Sequence, residues 1–388
     1  MWTNKQHIMS RLAKDHQVLH VDFGFENHFR YFSNTRRFPS GESADMPRRL
    51  KDGIIQRGET LWTTQTISPP GVSLFAPPNR LRQHFEFANK IQAAQRFIAS
   101  QKRQAPIWWV YHPGFGAYVD QFKPRGLLVY DCVDDYSAFP AYQPHAEWLE
   151  DRERALCSAA DLVFTTSSTL YELRKSLNPE THLVHNVGDA AHFKQAMDPH
   201  LEAAPEIAKL EGPVIGFVGA VSDYKLNVDW MLAAARARPN WHFVIIGPVG
   251  LADPSTNVSS LREQANVHLL GVRAYDQLPS YLKAVDVTVI PYRINRYTES
   301  VFPIKFFEFM ATGKPVVVSP LPSCSDYFDA VLVADTEESF IAKLDEALAM
   351  GSTNRDSRVA LAEANSWPKR IGSILSHIDR KLEQLPSS

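Results

Sequence analysis

Cysteine is scarce, with three in 388 residues, Cys132, Cys157 and Cys324. An odd number without metal or redox spacing excludes a disulfide framework and fits a reduced compartment. Long apolar runs are missing as well. No stretch approaches the roughly 18 residues of a membrane helix, and the opening Met-Trp-Thr-Asn-Lys-Gln-His has no signal-peptide core. Neither sign of charge prevails, since 41 Lys and Arg against 43 Asp and Glu leave a net −2. The electrostatic case for nucleic acid is therefore absent. No Gly-x-Gly-x-x-Gly follows a strand-like run, which counts against a nicotinamide-dependent oxidoreductase. Internal repeats and low-complexity tracts are lacking too.

What is present describes a globular α/β chain. Apolar residues make up 44% and charged residues 22%, and 388 residues suffice for two domains of ordinary size. Residues 3–15 predict a helix with Ile8, Leu12 and Ala13 on one face, and Val18 to Phe23 a strand. Residues 26–60 predict mostly loop, Leu61 to Ile67 a strand, and 79–102 a long helix. Ile107 to Tyr111, Leu127 to Asp131 and Leu162 to Thr165 are continuous apolar runs, as in a parallel sheet covered on both faces. A stronger alternation follows. Strands are predicted at Val214 to Val218, His242 to Ile246, Val267 to Leu270, Val285 to Ile290, Pro315 to Val318 and Ala330 to Ala334. Helices are predicted at 227–237, 276–284, 304–312 and 336–349.

Such alternation predicts doubly wound α/β domains, whose ligands lie beyond the carboxyl ends of the strands. In the first half that rule selects His112, Gly114, Asp134, Asp135, Thr166, Ser167 and Ser168. His112 is either an acceptor contact or a turn histidine bonded to backbone. Adjacent Asp134 and Asp135 need not converge, and they suit ordering a loop better than holding a metal.

The most informative stretch runs from Glu299 to Val318. Pro303 suits the first helical position and Gly313 the left-handed position past the end, leaving about two turns of helix between them. Such a helix offers free N–H groups and a positive dipole end over Phe302, Pro303, Ile304 and Lys305, a seat for phosphate. Lys305 and Glu308 share one face. Upstream, Gly216-Phe217-Val218-Gly219 leaves a strand with Lys225 six residues on, so Gly219 permits close approach to a ligand and Lys225 can reach a diphosphate.

These residues resemble the donor-binding segment of the family 4 glycosyltransferases with the GT-B fold. Their pattern is Glu, seven residues, Glu, then Met/Leu-Ala-x-Gly-Lys/Val-Pro-Val-Val. The second Glu matches Glu308, while the first falls on Ser300, with Glu299 one place away. His185-Asn186-Val187-Gly188-Asp189 with Phe193 resembles the segment closing the family's first domain. Leu270-Gly271-Val272-Arg273 with Leu278-Pro279 resembles the segment bordering the nucleotide base. Ser366-Trp367 and Arg370 open an amphipathic tail that in this family crosses back to the first domain. Val129-Tyr130-Asp131 with Asp134-Asp135-Tyr136 is similar to bacterial teichuronic-acid and exopolysaccharide transferases.

The resemblance implies two Rossmann-like domains facing a cleft. They would comprise an acceptor-side domain over 1–193, a linker over 194–212, a donor domain over 213–360 and a crossover helix over 361–388. It implies a retaining hexosyltransferase that moves a sugar from a nucleotide-diphosphate donor to a glycan or lipid-linked acceptor, without metal, cofactor or protein nucleophile. Lys225, Glu308 and His112 are then the candidate catalytic residues. Gly219, Arg273, Ser300, Phe302, Pro303, Ile304, Lys305 and Glu308 would line the donor site. The implied setting is bacterial surface polysaccharide synthesis in the cytoplasm, at or near the inner face of the membrane. A non-catalytic nucleotide-sugar binder and a sugar-nucleotide epimerase of the same fold are the alternatives. Finally, the chain starts almost inside the family's first helix, so about 15–25 upstream residues are expected to supply a strand and loop. Alternatively, Val18 to Phe23 takes the first position in a smaller sheet.

Overall fold

A computed structural model describes residues 3–21, 54–56, 58–64, 91–101, 106–122, 126–251, 253 and 255–384. The strand end at Phe23 and the expected helix start at 79 lie outside these residues, as does most of the expected loop over 26–60. The described chain forms two compact units. One holds residues from Lys5 to Trp108 with Tyr118–Leu127; the other holds Trp109–Ala117 and the chain from Leu128 onward, with the first few residues.

In the smaller unit, Ile8, Leu12 and Ala13 of the helix α1 (Asn4–Leu12) and the turn after it are buried, as their spacing predicts. Strands β1 (Val18–His20), β2 (Ile54–Gln56) and β3 (Leu61–Thr64) form a sheet in the order β1-β3-β2. β1 runs parallel and β2 antiparallel to β3. β2 falls within the region expected to be loop. A three-residue strand is too short for an alternation to register in the sequence.

The larger unit carries two sheets. Strands β4 (Ile107–Val110), β5 (Leu127–Cys132), β6 (Leu162–Thr165) and β7 (Thr181–Leu183) are arranged in that order, with β5, β6 and β7 parallel. The second sheet comprises β8 (Val214–Val218), β9 (His242–Ile246), β10 (Val267–Gly271), β11 (Val287–Ile290), β12 (Val316–Val318) and β13 (Leu332–Val333). It is parallel throughout and ordered β10-β9-β8-β11-β12-β13. Counted within the domain this is 3-2-1-4-5-6, the doubly wound order, and its direction reverses between β8 and β11.

Both sheets use the same device. Asp286 accepts the Val214 N–H at 2.8 Å while its own N–H bonds the Val214 carbonyl. Asp161 does the same with Leu128. Each aspartate follows a helix and clips the entry of the neighbouring strand. The supposed linker is also structured: Ala196, Ala204 and Ile207 pack into the apolar core of the six-stranded domain, as do Ala190 and Phe193 before it.

Helix α2 (Trp367–Glu383) closes the chain. It buries Trp367, Arg370, Ile374 and Ile378, and its His377 ring lies 3.9 Å from His182 and 5.9 Å from Phe164. The tail thus docks on the β5–β7 sheet. Among the described residues, no helix is long and apolar enough to cross a membrane.

Candidate donor site

The switch point between β8 and β11 gathers most of the chemistry. β8 runs into Gly219 and β11 into Pro291-Tyr292. Tyr292 is 2% exposed, and two ammonium groups approach its ring. Lys225 Nζ stands 4.9 Å from its centroid and Lys305 Nζ 5.4 Å. Lys305 also sits 4.1 Å over the Phe217 ring, and Lys225 5.7 Å from that of Tyr297. The electron-rich faces of these rings favour cations there. Gly219 makes the arrangement fit, since a Cβ at that position would lie 1.9 Å from the Lys305 ammonium, at a φ of +157°. Its small size serves a side chain of the chain itself.

The electrostatics are unusual. Lys305 is held well below the ordinary lysine range, first by burial and then by the charge of Lys225, with Glu308 opposing. Burial lowers Lys225 as well, with Asp134 opposing. Glu308 is pushed up to about 8, mainly by burial and also by Asp189, while Lys305 and a backbone hydrogen bond from Asp189 pull it down. All three residues are half-buried. Two cations and a carboxyl therefore share one recess in which desolvation outweighs their mutual compensation.

The helix carrying Lys305 and Glu308 spans Lys305–Ala311, and Gly313 follows it at φ +72°, the left-handed exit expected of it. Its start differs from the expectation. Pro303 precedes the helix, and the Phe306 N–H bonds the Pro303 carbonyl at 3.0 Å. The reason lies in the preceding backbone, where four consecutive carbonyls are taken by side-chain donors. Thr169 Oγ1 donates to Glu299 at 2.9 Å, Ser167 Oγ to Ser300 at 2.7 Å, and Asn186 Nδ2 to Phe302 at 2.9 Å. Ser323 Oγ donates to Val301. With its carbonyl drawn to Asn186, Phe302 leaves the Phe306 N–H to a tighter turn.

Ser300 is 1% exposed, and its hydroxyl donates to the Tyr297 carbonyl at 2.7 Å. Its side chain is therefore spent inside its own turn, while Glu299 is exposed. Phe302 is buried, stacked on Phe307 with ring centroids 5.4 Å apart. Pro303 is buried and Ile304 half-buried at the head of the helix. The segment ahead also grips the β5–β7 domain. Arg296 Nη2 donates to Ser137 Oγ at 2.7 Å and Glu150 at 2.8 Å, and Phe139 and Tyr297 rings meet at 4.3 Å.

Two candidates lie elsewhere in the scheme. Arg273 is committed to Tyr281, the Leu270 carbonyl and Glu206, an arrangement that braces its own loop. His112 Nδ1 accepts the Gly114 N–H at 3.0 Å, and its ring meets Tyr136 edge-on at 4.7 Å. The turn-histidine role is thus realised for one ring nitrogen. Asp134 accepts from the Tyr297 hydroxyl at 3.3 Å, whereas Asp135 faces Arg174 and Arg296, so the two neighbours part company. Among the described residues no three of His, Cys, Asp or Glu gather as a metal site.

Residues 212–350 match the family model described as glycosyl transferases group 1. The match covers the six-stranded domain. The putative teichuronic acid biosynthesis glycosyltransferase TuaH of Bacillus subtilis (strain 168) is 29% identical over 289 residues, covering 69% of this chain and 70% of TuaH. Among solved structures, sucrose-phosphate synthase from Thermosynechococcus elongatus superposes with a TM-score of 0.67 at 14% identity, covering 97% of this chain and 92% of that one. HepE of Anabaena in complex with UDP gives 0.57 at 17% identity, covering 70% and 79%. The GT-B architecture, with two Rossmann-like domains, is therefore the fold of this chain.

Sequence reasoning on the six-stranded domain missed Tyr292 and Tyr297. Both follow β11, and only the strand order reveals that β11 borders β8. A tyrosine directly after the fourth strand of the domain was the available signal.

Proposed function

We propose that this chain transfers a sugar from a nucleoside-diphosphate donor to a hydroxyl of a glycan or lipid-linked acceptor in bacterial surface polysaccharide synthesis. The carrying observation is the pair of lysine ammoniums gathered at Tyr292, at the switch point. Held below their ordinary pKa without a ligand, Lys225 and Lys305 gain an anion's compensation when a diphosphate arrives. As the anomeric C–O bond to the β-phosphate breaks, negative charge grows on the departing phosphate, where both ammoniums stabilise it. The acceptor oxygen bonds to the anomeric carbon, and its proton passes to a phosphate oxygen on the same face. That route retains configuration and uses neither metal nor protein nucleophile. Glu308 accepts hydrogen bonds from the ribose hydroxyls. The likeness to TuaH and to a UDP-bound GT-B structure supports the donor class.

One observation favours a second reading. Ser300, buried and bonded to its own turn, offers no side chain to a donor sugar, which suits a binder without catalysis. Incubation with radiolabelled nucleotide sugars and lipid-linked or oligosaccharide acceptors separates the readings. Labelled product is expected; tight donor binding without transfer, or an epimerised donor, would replace this reading by one of its rivals.

A further inference from the structure

The tail helix reaches the donor recess through one buried amide. Arg370 on α2 is 3% exposed, and its side chain is fully enclosed. Its Nη1 donates to the His185 carbonyl at 2.9 Å and to Asn186 Oδ1 at 2.8 Å, while Nη2 stands 3.6 Å from Asp131. A guanidinium only donates and a carbonyl only accepts, so the Asn186 amide has one orientation. Its oxygen faces Arg370 and Asn4, and its nitrogen faces the Phe302 carbonyl at 2.9 Å. Asn186 is 7% exposed, so each of these bonds forms away from bulk water.

Phe302 lies three residues before Lys305. The bond from Asn186 takes its carbonyl out of the helix, and the helix then starts at Lys305 with its ammonium over Phe217. The same strip of backbone holds the helix from the side. The His185 ring packs on Phe302 at 5.3 Å, and a Cβ at Gly188 would come within 2.7 Å of the Glu308 nitrogen.

We infer that Arg370 and Asn186 are positioning residues, acting through the Phe302 carbonyl to set Lys305 and Glu308 for a nucleoside diphosphate. This rests on Lys305 being the diphosphate contact, as proposed above. The tail is then part of the donor site's geometry as well as of the fold's stability.

The test is calorimetric titration of the full chain with UDP and with UMP, well below each variant's melting temperature. Asn186→Asp keeps an acceptor for Arg370 and removes the donor to Phe302. Arg370→Lys keeps the charge, so any effect on an anion there is geometric. Both variants are expected to lose about tenfold in UDP affinity while UMP affinity holds. A lower melting temperature with an unchanged UDP-to-UMP ratio makes the two residues purely structural and overturns the inference. If Arg370→Lys does not fold, Asn186→Asp decides alone. Lys305→Ala is the control. Should it leave the UDP preference intact, the diphosphate reading itself fails, and the inference fails with it for a reason the variants identify.

Discussion

An ammonium held in a half-buried recess is destabilising until an anion joins it, and this determines what Lys225, Lys305 and Glu308 can do. Replacing Lys225 or Glu308 by Ala is expected to lower kcat/KM for the donor about ten- to a hundredfold, the worth of a charged hydrogen bond at about 1.5–3 kcal/mol. Full activity of both variants with the cognate donor would dissolve the site. The raised carboxyl of Glu308 makes a second prediction. Its folded pKa of about 8 exceeds its unfolded value, so between the two the native state holds a proton that the unfolded chain has released. Stability from this group is complete below the ordinary carboxylate range and is lost as pH rises through about 8. Glu308→Gln removes that dependence. Thermal melts should therefore show the variant gaining on the wild-type protein from pH 5 to pH 9, and parallel profiles would count against the burial.

At the scale of elements, the turn after β8 and the helix over Lys305–Ala311 are built for each other. Gly219→Ala would place a methyl on the Lys305 ammonium, the mobile end of a long side chain that can swing aside. The variant should therefore lose only about 1 kcal/mol of stability through its strained backbone, yet bind nucleoside diphosphate about tenfold more weakly because the cation has moved. Equal losses in melting temperature and no change in affinity would show that the ammonium is not the ligand's contact. The helix itself illustrates how far sequence reasoning carries. Gly313 marked its end correctly, because a left-handed exit is a local property of one residue. Pro303 misplaced its start by two residues, because the Phe302 carbonyl is captured by Asn186, 116 positions away in sequence.

For the whole molecule, the tail decides cohesion. α2 buries Trp367, Ile374 and Ile378, each worth about 1.5–3 kcal/mol on enclosure. Removing residues 366–388 also strands Asp131 in the interior without its arginine. The truncated chain is expected to melt well below the full one and to aggregate; an unchanged melting curve would mean the helix is not docked in solution. By itself the sequence determined the α/β class, most strands of the six-stranded domain, the short helix bearing Glu308 with its exit at Gly313, and the apolar stripe of the tail. Periodicity, apolar runs and Gly313 act over a few residues, and a chain can carry such signals openly. Only the tertiary structure decided that β11 borders β8, that Tyr292 meets two ammoniums, and that Ser300 turns inward while Arg273 braces a loop. Those outcomes depend on strand order and on which side chains meet once the chain has folded, and neither leaves a period in the sequence.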